Sequence, residues 1–167
     1  MPVRHTLSVT VQDKPGVLAK VASMCALRGF NIHSLAVGPI HLPGMSKITL
    51  VVDDVDVEQV TKQLHKLVNV LKILELDPSE SLEREVMLVR VAADSAIRRE
   101  ARDAAEVFGA TTIDVGASSL TFEISDHPQR LNDFLSLIEH YGVLDIVKSG
   151  RVALDRDTKN NANGATD

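Results

Sequence analysis

The sequence predicts an α+β chain built from two ferredoxin-like βαββαβ modules in tandem. Two observations carry this. Segments with apolar period two and apolar period 3.6 alternate in the order strand, helix, strand, strand, helix, strand. After a polar breaker run, Asp77-Pro78-Ser79-Glu80-Ser81, the same order restarts with an offset of about 80 residues. Little residue identity accompanies the repeat, so it is one of architecture.

In the first module, Leu7, Val9 and Val11 alternate with polar residues, a strand over Thr6 to Val11. Asp13-Lys14-Pro15-Gly16 breaks it. Pro15 suits the first turn of a helix, where its missing N–H has no intrahelical partner, and Asp13 lies in the N-cap neighbourhood. Val17, Leu18, Val21, Met24, Cys25 and Arg28 continue at helical spacing, and Gly29 is a stop signal. Asn31 opens a strand reaching about Val37. Gly38-Pro39 and Pro43-Gly44 bracket a loop. Ile48, Leu50 and Val52 make the third strand. Val57, Val60, Leu64 and Leu67 are helical, and Val70 to Leu76 is the fourth strand. Crossovers of the usual hand place both helices on one face of the sheet.

The second module reads Val86 to Val91, strand; Ile97 to Phe108, helix closed by Gly109; Thr112 to Val115 and Leu120 to Ile124, strands; Pro128 to Tyr141, helix; and Val143 to Val152, a last strand broken at Ser149-Gly150. The expected organisation is therefore 1–77, a linker at 78–84, a second domain at 85–155 and a tail at 156–167. The tail has no large apolar residue, so it is expected to be disordered. Deleting the residues after Asp157 should leave the melting temperature unchanged.

Composition narrows the function. Aromatic residues are 3% of the chain and Trp is absent, leaving few stacking platforms for bases or sugars. The net charge is −5, without the basic block of a phosphate-backbone reader. The single cysteine, Cys25, sits in an apolar helical pattern and reads as a small buried hydrophobe in a reducing compartment. Neither a signal core nor an apolar run of membrane-spanning length is present, so a cytoplasmic location is expected.

Six histidines, His5, His33, His41, His65, His127 and His140, lack metal-ligand spacing. Nucleophile elbow, phosphate loop and dinucleotide fingerprint are all missing from the sequence. Asp53-Asp54-Val55-Asp56 clusters carboxylates at a strand-to-helix connection, where Asp caps helices. Two features suggest ligand recognition. Gly16 lets a ligand approach the backbone, and the unpaired N–H groups of the following helical turn favour a carboxylate. Asp13, on the same turn, is placed to accept from an ammonium. Asn31, at a strand start, offers both a donor and an acceptor.

Several stretches carry a resemblance. Asp13-Lys14-Pro15-Gly16-Val17-Leu18 resembles the ligand loop of the regulatory modules called ACT domains. Arg28 to Gly38, Lys62 to Lys72 and Glu83 to Val91 resemble the regulatory small subunits of acetolactate synthase (acetohydroxyacid synthase). Ile113-Asp114-Val115 and Lys148-Ser149-Gly150-Arg151 continue the match, which spans roughly residues 4 to 155.

The resemblance implies a homodimer, or a higher oligomer, whose N-terminal ACT domains pair side by side. It implies a branched-chain amino acid, usually valine, at their interface. By motif the effector-binding residues are Asp13, Gly16, Val17, Leu18, Asn31 and Ile32; many members carry Asn where this chain has Asp13. No catalytic or metal residue is expected in this chain. Thiamine diphosphate, Mg and FAD are expected in the catalytic large subunit, which this chain would activate and subject to feedback inhibition in valine, leucine and isoleucine biosynthesis. The competing reading is a free-standing ACT-type amino-acid sensor or transcriptional regulator, and its helix-turn-helix is missing from the sequence.

Overall fold

The computed structural model describes residues 3–53 and 56–157. The expected tail therefore lies outside the described residues from position 158 onward. Contacts divide the chain into two compact units. One comprises residues 1–82 with 151–167, and the other Glu83–Gly150.

The first unit holds β1 (Arg4–Gln12), α1 (Val17–Leu27), β2 (Ile32–Pro39), β3 (Met45–Asp53), α2 (Val57–His65) and β4 (Val70–Leu76). The sheet order is β2-β3-β1-β4 with every neighbouring pair antiparallel. Each helix thus joins two parallel strands separated by a third, the split crossover expected from the sequence. Period two in β1 and β3 sends Leu7, Val9, Val11, Ile48, Leu50 and Val52 to one face. There they form a closed core with Val17, Val21 and Cys25 of α1 and Val60 and Leu64 of α2. Asp56 caps α2 by accepting from the Gln59 N–H at 3.3 Å, as its place before the apolar repeat predicts.

On the opposite face, pairing places Thr6 beside Val51 and Ser8 beside Thr49, all buried. This face is met by β9 (Val152–Asp155), which lies against β1 and β4. The Arg151 N–H donates to Ser34 Oγ at 2.8 Å and its guanidinium to Thr6 Oγ1 at 3.2 Å. The last strand, expected from Val143 to Val152 with a break at Ser149-Gly150, does break there. It is two strands, because Gly150 turns the chain with φ at 82°. Arg156, expected in the tail, donates its N–H to the Glu80 carbonyl at 2.8 Å.

The second unit holds the rest of β5 (Ser81–Ala92), then α3 (Arg98–Val107), β6 (Thr111–Val115), β7 (Ser119–Asp126), α4 (Pro128–Ile138), a single 3-10 turn (Glu139–Tyr141) and β8 (Val143–Lys148). The sheet order β6-β7-β5-β8 repeats the topology of the first unit. β5 starts five residues before the expected Val86, so part of the anticipated linker is strand. Met87, Val89, Val91, Leu120 and Phe122 pack with Ala101, Ala105, Leu131, Phe134 and Ile138. The Phe134 ring meets Phe108 at 5.5 Å and Phe122 edge-on at 6.3 Å. Among the described residues no helix is long and apolar enough to cross a membrane.

Candidate functional site

The turn from β1 into α1 is built around Gly16, with φ 85° and ψ −5°, a left-handed conformation that costs glycine little. It stands at the N-cap of α1, and no side chain caps the helix. Pro15, expected in the first helical turn, lies ahead of the N-cap, since the left-handed Gly16 comes between it and Val17. Asp13 does not cap either. Its backbone N–H donates to the Gly44 carbonyl at 2.8 Å, and its carboxylate is exposed. The first-turn N–H groups of α1 thus lack a side-chain acceptor, and a nearby anion would meet both them and the positive end of the helix dipole. A Cβ built on Gly16 would touch nothing within 4 Å, so the backbone there is open to approach. Val17 turns its side chain into the core, while Leu18 is 41% exposed beside the turn.

Asn31 and Ile32 lie at the other end of α1, where the chain enters β2. Ile32 packs half-buried on the core. The Asn31 amide donates Nδ2–H to Asp53 Oδ2 at 2.9 Å, and its backbone carbonyl accepts from the Asp53 N–H at 3.3 Å. Arg4 Nε reaches the other Asp53 oxygen at 3.1 Å, and His33 Nδ1 lies 3.7 Å from Oδ2. In the sequence Asp53 reads only as one of several capping carboxylates. Its role at the strand end follows from β1–β3 register, which sets Arg4 opposite Asp53 and which composition does not reveal.

The expected site residues thus form two groups. Asp13, Gly16, Val17 and Leu18 stand at one end of α1, Asn31 and Ile32 at the other. An 11-residue helix spans about 16 Å at 1.5 Å per residue, too far for one small amino acid to touch both. β2 is a sheet edge, available for pairing.

The corresponding turn in the second unit differs. The Asp94 carboxylate accepts from the Ala96 N–H at 2.8 Å and the Ile97 N–H at 3.1 Å, just before α3. There the chain's own carboxylate braces the turn ahead of α3, while the N-cap Ile97, like Gly16, makes no side-chain cap bond. The Arg98 guanidinium donates to the Gly116 and Ala117 carbonyls, each at 2.8 Å, which ties that turn down further. Among the described residues there is no group of three or more His, Cys, Asp or Glu side chains fit to hold a metal.

Residues 7–72 match the model for the AHAS small subunit-like ACT domain, and residues 84–157 that for the small subunit of acetolactate synthase. The acetolactate synthase small subunit of Mycolicibacterium smegmatis is 47% identical over 154 residues, covering 91% of both chains. The chain belongs to the acetolactate synthase small subunits. A probable acetolactate synthase small subunit of Archaeoglobus fulgidus is 40% identical over 94% of this chain and 99% of its own. The crystal structure of the acetolactate synthase small subunit from Thermotoga maritima superposes with a TM-score of 0.86 at 36% identity, covering 93% of this chain and 99% of that one. In this small subunit the ACT-domain match takes in both ends of α1 and Asp53.

Proposed function

We propose that this small subunit is a non-catalytic regulator that pairs with a second copy along α1 and the β2 edge and binds a branched-chain amino acid, valine foremost, across that pairing. The observation that carries the reading is the outward face of α1. In 11 residues the helix has one charged side chain, Lys20, and beside Lys20 and Ser23 it exposes Leu18, Ala19, Ala26 and Leu27. An outer face so poor in charge suits one that is covered by a partner. By contrast α3 presents Arg99, Glu100, Arg102, Asp103 and Glu106. A two-fold pairing of α1 and β2 brings the Gly16 turn of one copy to the Asn31 end of the other, so each site draws on both chains.

The groups at the two ends suit a zwitterion. Uncapped N–H groups of α1 favour the carboxylate, and Asp13 with the Asn31 amide supplies acceptors for the ammonium. The apolar Leu18 and Ile32 suit a branched aliphatic side chain. On this reading the partner is the catalytic large subunit, which carries the thiamine diphosphate, the divalent metal and FAD. The small subunit activates it in the cytoplasm and conveys feedback inhibition on branched-chain amino-acid synthesis. Inhibition requires that the effector favour one state of the complex over another, and a ligand shared between copies does so by changing how they pair.

The test is acetolactate formation by the reconstituted pair, titrated with valine. Gly16→Asp sets a carboxylate where the ligand's must come, in a backbone conformation that aspartate tolerates better than most residues. Asn31→Ala removes polar contacts worth about 1–3 kcal/mol, or roughly 5- to 150-fold in inhibitory concentration. Both variants should lose sensitivity to valine and keep activation. Unchanged inhibition in both contradicts the site.

A further inference from the structure

We propose that Asp53 is a positioning residue that fixes which end of the Asn31 amide faces the effector, and so which end of the amino acid Asn31 receives. The inference rests on the site just proposed and deepens it.

A carboxylate only accepts hydrogen bonds, whereas an amide has a donating and an accepting end. With Asp53 Oδ2 at 2.9 Å, Asn31 turns Nδ2 inward. The opposite orientation would set Oδ1 against a charged oxygen. The Asp53 side chain is only 16% exposed and is itself held by Arg4 Nε at 3.1 Å on its other oxygen, while the Asp53 N–H, donating to the Asn31 carbonyl at 3.3 Å, fixes the two backbones beside each other. His33 Nδ1, 3.7 Å from Oδ2, is a further donor-capable neighbour on the same side. The orientation therefore does not depend on a ligand. Asn31 Oδ1 forms no hydrogen bond among the described residues, and the residue is exposed. What Asn31 offers outward is an acceptor, so it receives the ammonium. The carboxylate of the same ligand is left to the uncapped turn at Gly16 of the other copy. Asp53 thereby selects for a 2-amino acid over the 2-oxo acid of the same carbon skeleton, which has an acceptor where the ammonium would be.

Calorimetry of the full chain with valine and with 3-methyl-2-oxobutanoate tests this. Wild type should bind valine at least about 100-fold tighter than the oxo acid, because a site built for a donor rejects an analogue without one. Asp53→Asn gives Asn31 a neighbour that pairs with either end of its amide. Valine should weaken about tenfold and its advantage over the oxo acid should shrink by at least that factor. Arg4→Gln removes the ion pair and leaves the Asn31 contact, so the preference should persist. Thermal melts establish that each variant is folded, and the wild-type ratio is informative even where a variant is not. A wild type that binds both ligands equally overturns the inference, as does an Asp53→Asn protein with the wild-type ratio. Arg4→Gln collapsing the ratio equally would reduce Asp53 to a strand-pairing role and also overturn it. If wild type binds valine while Asp53→Asn changes nothing, only the Asp53 role fails. If wild type binds no valine, the site fails as well.

Discussion

At the residue scale, Gly16 and Asn31 are recognisable in the sequence because each has a conformational or chemical signature, whereas Asp53 is not. A glycine between a strand and an apolar helix announces a left-handed turn. An asparagine at a strand start announces bidirectional hydrogen bonding. Asp53 looks like a helix cap because three carboxylates crowd positions 53 to 56, and only register with β1 shows what it holds. Asp13 has two possible roles in the sequence, and the uncapped α1 excludes the capping one. Cys25 is the small buried hydrophobe its pattern predicts, and burial pushes its thiol pKa up. The thiol therefore stays protonated, and the thiolate that alkylating reagents need is scarce. Iodoacetamide at neutral pH should leave Cys25 unmodified in the native protein and modify it in denaturant. Fast native labelling would show that α1 opens readily from the sheet.

At the element scale, helices α1 and α3 begin two modules of one topology and answer to different demands. The charges of α3 face water, and its entry turn is closed by Asp94. α1 has almost no charge, and its entry is open. Strand and helix order is legible in the sequence because the periods of two and 3.6 are strong in both modules. The ends are less so. β5 begins at Ser81 because strand pairing extends beyond its apolar alternation, whereas the break between β8 and β9 falls at Ser149-Gly150, where the sequence pattern already breaks and Gly150 turns the chain. If α1 covers α1 between copies, a charge at Leu27, 86% exposed in the single chain, should weaken pairing. Leu27→Glu should shift the species seen by light scattering at micromolar concentration from dimer toward monomer. A wild type that is already monomeric would contradict the pairing. In the second unit Phe134 joins α4 to two other aromatic rings. Phe134→Ala should cost about 3–5 kcal/mol of stability, read as a lower denaturation midpoint, because no neighbour can refill the cavity without breaking the sheet packing.

At the scale of the whole molecule, two βαββαβ units with separate cores divide the labour. One carries an open, uncapped turn and an edge strand. The other has the turn ahead of α3 braced by the Asp94 carboxylate. The two groups of expected site residues lie at opposite ends of α1, too far apart for one ligand, so on the proposed reading binding is a property of two copies. Calorimetric titration of the isolated small subunit with valine tests this most directly, with Gly16→Asp alongside. The expected result is saturable binding by a dimer, lost in Gly16→Asp and weakened when Leu27→Glu separates the copies. Equal valine affinity in wild type, Gly16→Asp and a monomeric Leu27→Glu would contradict it.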